Sequence, residues 1–272
     1  AGLKASQGGT LLYIAPNSNA AEQVFADMQT LLPEENLYLF PARENPLYGI
    51  AALSPELMAE RQKTLYALSS GEPCLVVSSW DALFYRLPVP SVFSSQGIEL
   101  FYGQQLALAD LTRLLVQGGY ERVPLVEHPG QYSQRGGIID IYGPGYDWPV
   151  RIEFFGDEID LIKQFDLTSQ RSLANVERVL VLPAQESVWP ESDNVAGLQR
   201  LETALAQAIE ANPSLASSLT DHVGADLERL QAGLVFPGRE RYLPFFLEED
   251  WSLLDYLPPT ARVIIDEPTK VW

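Results

Sequence analysis

Hydrophobic and polar residues alternate most regularly between residues 137 and 165. Val150–Phe155 alternates Val, Ile and Phe with Arg and Glu, and Ile159–Phe165 alternates again. A period of two residues is typical of a strand with one buried face. The Gly-Pro-Gly of 143–145 and the Gly-Asp of 156–157 separate the runs as turns. The pattern therefore predicts an antiparallel meander of about three strands, of which Gly137–Tyr142 is the first.

The two faces of this meander differ in chemistry. One face carries hydrophobic residues that we expect to be buried, namely Ile141, Ile152 and Phe154. The other carries charged and aromatic residues, namely Arg151, Glu153 and Phe155, with Arg135 just before the first strand. Arg and aromatic side chains are enriched at the energetic centres of protein interfaces, where truncation costs about 2–4 kcal/mol. A structural alternative stays open, in which Arg151 and Glu153 form a surface ion pair worth at most about 1 kcal/mol and Phe155 folds under a loop.

Strands and helices alternate within residues 1–96. Three short apolar runs are of the buried-strand type, namely Thr10–Ala15, Leu37–Phe40 and Cys74–Ser78. Residues 20–32 show helical spacing of apolar side chains, and a second helix is predicted from Ser54 to about Ser70. Such alternation predicts an α/β unit with a mostly parallel sheet.

The pattern changes twice further along the chain. Residues 97–183 contain the meander and are predicted to form a second domain. Residues 184–256 are mostly helical in pattern and are predicted to form a third. Ala261–Ile265 is a further strand, which we expect to return to the first sheet. The first domain would then be discontinuous, comprising residues 1–96 and about 257–272.

Few residues are arranged for catalysis or for metal binding. A phosphate-binding loop requires G-x-x-x-x-G-K-[ST], and the nearest stretch, Gly2–Thr10, has no Lys after its second Gly. The acidic residues of 157–160 lack the further ligands that calcium requires, so we interpret them as a solvated hairpin end. His128 and His222 fall in different predicted domains. We predict no catalytic residue, no metal site, no nucleotide site and no cofactor.

The charge of the chain argues against a nucleic-acid clamp. The formal net charge is −18, whereas phosphate binding relies on clustered Lys and Arg. The single cysteine, Cys74, rules out an intrachain disulfide, fits a reducing compartment and is interpreted as a buried strand residue. The sequence has no run of about 18 apolar residues and no signal-peptide pattern. We therefore expect a cytoplasmic protein without membrane contact.

The central stretch resembles a known signature. Residues 135–141 read RGGIIDI and residues 151–159 read RIEFFGDEI. These strings and their spacing resemble the signature shared by the UvrB and the transcription-repair coupling factor (Mfd) families. Segments within 54–66, 165–173 and 244–246 are similar to the second family in particular. The likeness covers nearly the whole chain in patches, and it implies the amino-terminal, UvrB-like module of that family.

This resemblance implies a fold and a partner. The implied fold is α/β: a degenerate helicase-like (RecA-like) parallel-sheet domain, an inserted α+β domain with an antiparallel sheet, and a further mostly helical domain. The implied partner is the excision-repair protein UvrA, bound by the middle domain through Arg135, Arg151, Glu153 and Phe155. In whole members of the family, other domains bind RNA polymerase and DNA, and a carboxy-terminal domain of the same chain masks the UvrA-binding face.

Two rival functions remain open at this point. One is a UvrB-like, ATP-dependent DNA-damage-binding protein. The missing phosphate loop argues against it, as does the chain from Pro73 to Ile98, which is too short for a DNA-inserting hairpin. The other is a purely structural or autoinhibitory domain, against which the predicted Arg–Phe face argues mildly. We predict a non-catalytic interaction module that recruits UvrA to stalled RNA polymerase.

Overall fold

Three β-sheets organise the part of the chain that the structure describes. The computed structural model describes residues 9–33, 36–43, 54–91, 97–186, 189, 193–234, 236, 238–247, 249 and 251–270. Within these ranges the strands are β1 (Leu11–Ala15), β2 (Leu37–Phe40), β3 (Leu75–Ser79), β4 (Ile98–Phe101), β5 (Glu121–Arg122), β6 (Gln131–Arg135), β7 (Ile138–Tyr142), β8 (Val150–Phe155), β9 (Glu158–Phe165), β10 (Ser172–Asn175), β11 (Arg178–Val181) and β12 (Arg262–Ile265). The α-helices are α1 (Ser18–Leu31), α2 (Pro55–Ser69), α3 (Leu108–Gln117), α4 (Asn194–Ala211), α5 (Ala216–Leu219), α6 (Ala225–Gln231) and α7 (Leu243–Phe246).

The first sheet is parallel, as the alternation of strands and helices predicted. Its strand order is β12-β1-β3-β2, and each neighbouring pair is parallel. The side chains of Asn17 and Ser54 cap α1 and α2 by accepting hydrogen bonds from backbone amides three residues further on, which fixes where each crossover helix begins. The two helices cover opposite faces of the sheet. Leu11 of β1 packs on the side of α1, and Leu12 packs on the side of α2.

The strand predicted at 261–265 lies at the edge of this first sheet. It is observed as β12, which pairs in parallel with β1 so that Leu11 faces Arg262 and Ile14 faces Ile265. Residues near the two ends of the described ranges therefore share one sheet, and most of the described residues lie between them in sequence. The division into three domains and the helicase-like arrangement stay predictions.

A buried ion cluster joins α2 to the segment that follows β11. Arg61 of α2 is fully buried, and its Nε and Nη2 both donate to the carboxylate of Glu186. Arg43 donates to Oε2 of the same carboxylate at 2.7 Å. The third nitrogen of Arg61 donates to the carbonyl oxygen of Pro41 at 2.5 Å, and its guanidinium lies 4.0 Å from the centre of the Phe40 ring. The cluster therefore ties the first sheet to residue 186.

The second sheet has six strands in the order β10-β9-β8-β7-β6-β5. Two-residue turns connect β6 to β7 and β8 to β9, and their first residues, Gly136 and Gly156, have φ of +60° and +63°. Hairpin turns of this length require a positive φ, which glycine adopts without strain. Because β7 and β8 are antiparallel neighbours, both turns lie at the same end of the sheet.

One face of the second sheet is covered by α3 and by the third sheet. The isoleucines and valines of β7, β8 and β9 form its core, namely Ile139, Ile141, Val150, Ile152, Ile159 and Ile162. They pack against Leu111 and Leu115 of α3 and against Leu100 and Val179 of the antiparallel pair β4–β11. This packing confirms the buried face predicted from the alternation, including Ile141 and Ile152, while Phe154 is partly buried. Neither α3 nor the third sheet covers the opposite face of the second sheet.

The meander is longer than the sequence pattern indicated. Gln131–Arg135 forms β6, so Arg135 is the last residue of a strand rather than a residue just before the first one. Its sequence, QYSQR, holds a single hydrophobic residue and therefore gives no alternation to detect. β10, whose sequence is SLAN, is exposed throughout and gives no alternation of buried and exposed positions either. Pairing with a neighbouring strand holds each of them in the sheet, β6 with β7 and β10 with β9.

The segment after residue 193 is mostly helical, as predicted. Its core contains Leu201, Leu230 and Leu243 from three of the helices. Trp189 stacks on Phe246 with 4.2 Å between ring centroids. Within the described ranges, the helices include none with the length and apolar character needed to cross a membrane.

Gly197 of α4 is a position where a methyl group has no room. A Cβ atom there would overlap the ring of Phe246, which is almost fully buried. Alanine favours a helix over glycine by about 1 kcal/mol, but forcing extra volume into a packed core costs about 1–3 kcal/mol. We expect Gly197→Ala to lower the free energy of unfolding, measured by urea titration, by about 1 kcal/mol.

The matched control is Gly224→Ala. Gly224 has a helical φ of −63°, and the nearest atom to an added Cβ is Thr220 Cγ2 at 3.8 Å. This substitution is expected to raise the free energy of unfolding by about 0.5–1 kcal/mol. An equal gain in both variants would contradict the packing argument at Gly197.

Candidate functional site

The four predicted site residues lie on the face of the second sheet that turns away from α3. Side chains alternate along a strand, so the neighbours of the buried isoleucines point to this side. Residues paired across the strands share it, as Arg135 does with Ile138 and Arg151 with Lys163. We call this surface the display face, and its members are Arg135, Ile138, Asp140, Arg151, Glu153, Phe155, Glu158, Leu161 and Lys163.

Arg151 is held by a buried carboxylate opposite it in the sheet. Asp140 is the cross-strand partner of Arg151 and is only 2% exposed. Arg151 Nε donates to Asp140 Oδ1 at 2.7 Å, and Nη2 donates to Oδ2 at 2.9 Å. Such a bidentate pair is a charge-assisted interaction with a fixed plane. The hydrogen bond with Asp140 raises the pKa of the Arg151 guanidinium, so this side chain stays charged.

Two further contacts fix the orientation of Arg151. Its guanidinium carbon lies 4.6 Å from the centre of the Phe165 ring, within the range of a cation–π contact. Its Nη2 also lies 3.4 Å from Oε1 of Gln170. Gln170 has a positive φ of 58°, an uncommon conformation for a residue other than glycine. The side chain is therefore positioned on several sides before any partner arrives.

Arg135 shares the same carboxylate but is more open to solvent. Its Nη2 donates to Asp140 Oδ2 at 3.2 Å, and 58% of its side-chain surface is exposed. One carboxylate thus holds two guanidinium groups, of which Arg151 is the half-buried one and Arg135 the accessible one. The strands β6, β7 and β8 bring these three side chains together.

Glu153 is paired with Lys163 rather than with Arg151. Lys163 Nζ donates to Glu153 Oε1 at 2.7 Å. The alternative prediction of an ion pair between Arg151 and Glu153 is therefore wrong. The register between neighbouring strands gives each residue a different partner. Same-strand neighbours two positions apart compete poorly with partners directly opposite or diagonal.

Phe155 is 82% exposed and so does not fold under a loop. It precedes the turn at Gly156, as Arg135 precedes the turn at Gly136, so both lie toward the same end of the display face. Ile138, which follows the first turn, is 39% exposed. An aromatic ring and an aliphatic side chain are thus offered to solvent at one end of a charged surface, where a partner could cover them.

The end of the hairpin that carries Phe155 is anchored. The segment before α3 runs alongside it, where Leu106 N donates to Asp157 O at 2.7 Å. The side chain of Gln105 donates to Glu158 Oε2 at 2.8 Å. These contacts engage two of the acidic residues that we interpreted as a hairpin end. These hydrogen bonds hold the backbone at the end of β8, where Phe155 lies.

The charge of the display face differs from that of the chain. It carries three positive side chains, Arg135, Arg151 and Lys163, and three negative ones, Asp140, Glu153 and Glu158. Arg135, Arg151 and Asp140 together keep one net positive charge, on a protein whose formal net charge is −18. A basic spot on an acidic protein favours approach of an acidic patch and disfavours contact elsewhere.

Sequence reasoning missed more than half of the display face. Asp140, Ile138, Glu158, Leu161 and Lys163 were not assigned to it. Asp140 stood within the RGGIIDI string, and its place between two isoleucines of a strand was a usable signal, because a carboxylate there must find a basic partner. The other four depend on the register of neighbouring strands.

Other candidate chemistry is sparse in the described ranges. No group of three or more His, Cys, Asp or Glu residues able to hold a metal occurs there. His128 Nδ1 lies 3.1 Å from Glu56 Oε1, and both side chains are exposed. A cavity of about 740 Å³ opens at the carboxyl ends of the first three strands, and Glu22, Asp81 and Arg43 are among the residues that line it. Two carboxylates against one guanidinium that is already paired make this lining unfavourable for phosphate.

Comparison with known proteins finds a likeness in the middle of the chain. Residues 98–186 match the model of the UvrB interaction domain family, and the display face lies entirely within this segment. This segment is therefore similar to UvrB interaction domains.

The chain as a whole is similar to longer proteins. It is 32% identical over 263 residues to the transcription-repair-coupling factor of Bacillus subtilis (strain 168). It is 31% identical over 266 residues to the factor of Staphylococcus haemolyticus, and 30% identical over the same length to that of Staphylococcus epidermidis. Each match covers 96% of this chain and 22% of the relative, so the chain spans about a fifth of the length of these relatives. The resemblance to the coupling-factor family predicted from the sequence is confirmed.

Proposed function

We propose that the display face binds the excision-repair protein UvrA. In this proposal the chain is an interaction module without chemistry of its own, and binding brings UvrA to the longer protein of which such modules are part. The longer protein would in turn engage a stalled RNA polymerase and DNA through its other domains. A carboxy-terminal domain that covers the same face would keep UvrA away until it is needed.

The observation that carries this proposal is the exposure of Phe155 beside Arg135 and Arg151. A ring that is 82% exposed on an anchored hairpin is a ready anchor for a partner, because little backbone freedom remains to be lost on binding. Arg and aromatic residues are the types that dominate interface energies. The segment that holds them matches an interaction-domain family, which supports a protein as the ligand.

We expect Phe155→Ala to weaken binding of UvrA at least tenfold in a calorimetric titration. Truncating an aromatic anchor at the centre of an interface costs about 2 kcal/mol or more. Fold should be unaffected, because the Phe155 side chain is mostly in solvent. Circular dichroism of each variant checks this directly.

Phe84→Ala is the matched control. Phe84 is 71% exposed but lies in the short helical turn after β3, outside the display face. Its truncation is expected to leave the affinity for UvrA unchanged. A wild-type chain that fails to bind UvrA would overturn the proposed function. Equal affinity for wild type, Phe155→Ala and Arg151→Ala would move the binding site elsewhere.

A further inference from the structure

Asp140 is a buried carboxylate on a face that is otherwise open. Only 2% of its surface is exposed, and its two oxygens accept hydrogen bonds from Arg151 and Arg135. A carboxylate at this depth without basic partners would be strongly unfavourable. The two guanidinium groups are therefore held where they satisfy Asp140, which is a stronger constraint than a pair of exposed arginines could place on each other.

The bonds to Asp140 leave a defined set of donors. Arg151 uses Nε and Nη2, and Arg135 uses Nη2. Among the described residues, no hydrogen-bond acceptor meets Nη1 of Arg151 or the Nε and Nη1 of Arg135. The pair of Glu153 with Lys163 keeps a second carboxylate from occupying them. These donors are available to a ligand and are already oriented.

We propose that Asp140 is a positioning residue: it holds the guanidinium groups of Arg135 and Arg151 so that their free N–H groups receive a carboxylate of the partner. The inference rests on the proposed function and adds the chemistry of the partner surface. That surface carries an acidic side chain next to an apolar pocket. The acidic side chain meets the two guanidinium groups, and the pocket receives Phe155.

The choice of a carboxylate follows from geometry and charge. A guanidinium offers parallel N–H donors that match the two oxygens of a carboxylate. Arg135, Arg151 and Asp140 together hold one net positive charge, which one acidic side chain of the partner would neutralise. The apolar pocket follows from Phe155 and from Ile138, which stand at the same end of the face. A partner with either feature alone would leave a desolvated charge or an exposed ring.

Removal of the Asp140 charge separates positioning from simple attraction, because the two predict opposite signs. Asp140→Asn raises the net charge of the cluster of Arg135, Arg151 and residue 140 from one positive charge to two. If the arginines act only by attracting an acidic partner, the variant binds UvrA as tightly as wild type or more tightly. If Asp140 positions them, the freed guanidinium groups become mobile and binding weakens despite the extra charge.

The test measures association and dissociation rates with UvrA by surface plasmon resonance at two salt concentrations. For Asp140→Asn we expect dissociation at least tenfold faster than for wild type, with association at low salt as fast as or faster than wild type. This combination is not produced by loss of fold, which would lower the amount of competent protein without changing the dissociation rate. A dissociation rate equal to or slower than that of wild type overturns the inference.

Two other variants guard the result. Arg151→Lys keeps the charge and a partner for Asp140 but loses the planar fork, and we expect it also to dissociate at least tenfold faster. Asp226→Asn is the matched control, since Asp226 is a buried carboxylate bonded to Arg229 and Tyr242 in the helical region. It is expected to bind as wild type does. If Asp140→Asn does not fold, the outcome for Arg151→Lys decides, and unchanged kinetics there overturn the inference.

The two proposals fail in distinguishable ways. If neither wild type nor Asp226→Asn binds UvrA, the proposed function fails. If both bind while Asp140→Asn and Arg151→Lys bind equally well, UvrA remains the partner and only the positioning role of Asp140 is lost.

Discussion

Glu186→Ala is expected to lower the free energy of unfolding by about 3–5 kcal/mol, the loss typical of breaking a buried ion pair. The substitution leaves two buried guanidinium groups without their carboxylate, because Arg61 is fully buried and Arg43 is nearly so. Arg61 would keep its bond to the Pro41 carbonyl oxygen and its contact with the Phe40 ring. Neither contact carries a negative charge to replace the carboxylate. Urea or guanidinium titration followed by circular dichroism measures the loss.

Two controls make this result specific. Glu99→Ala breaks an exposed ion pair with Arg178, in which the Glu99 side chain is 51% exposed and the Arg178 side chain 69%. This substitution should change the free energy of unfolding by about 0.5 kcal/mol or less. The double variant Arg61→Met with Glu186→Leu removes both buried charges together and should be more stable than Glu186→Ala. A loss below about 1 kcal/mol for Glu186→Ala would contradict a buried cluster.

Acid is expected to remove the contribution of Glu186 below about pH 4.5. Burial acts to raise the pKa of its carboxyl group, but the guanidinium groups of Arg61 and Arg43 outweigh it and bring this pKa to about 2. The pKa in the folded protein is thus lowered from the ordinary value of 4.5. Stability from such a group is fully present above the unfolded pKa and is lost as the pH falls toward the folded one. The difference corresponds to about 3 kcal/mol.

The pH experiment compares wild type with Glu186→Gln. Subtracting their unfolding free energies removes the contribution of all other carboxylates, provided that they titrate alike in both proteins. The wild-type advantage should be constant from pH 7 to pH 5 and should shrink by about 3 kcal/mol toward pH 2. A wild-type advantage that stays constant down to pH 2 would contradict the lowered pKa of the Glu186 carboxyl group.

The sequence predicted the elements of the display face better than its contacts. Alternation over Val150–Phe155 and Ile159–Phe165 indicated β8 and β9 because a two-residue period is local information. The pairing of Glu153 with Lys163 depends on the register between those strands, which shifts after Glu153. A one-residue change in register alters every partner, and nothing in a single strand fixes it.

The buried ion cluster at Glu186 was also not predictable from local sequence, because its members are far apart along the chain. Arg61 lies in a helical segment with Gln62, Lys63 and Thr64, a run that is polar by composition. Yet Arg61 and Thr64 are both fully buried. Most buried polar groups have a hydrogen-bond partner, and for Arg61 the partner is 125 positions away along the chain. The spacing of polar and apolar residues within the helix therefore cannot predict that partner.

The parallel pairing of β1 with β12 has a mechanical consequence. In parallel strands, the amino end of one and the carboxyl end of the other lie at opposite ends of the pair. A pull between these two points loads their hydrogen bonds in shear, so that the bonds share the force rather than opening one after another. The strands β4 and β11 that lead into and out of the second sheet are antiparallel neighbours and lie outside this path. Tension carried through β1 and β12 would therefore leave the geometry of the display face undisturbed.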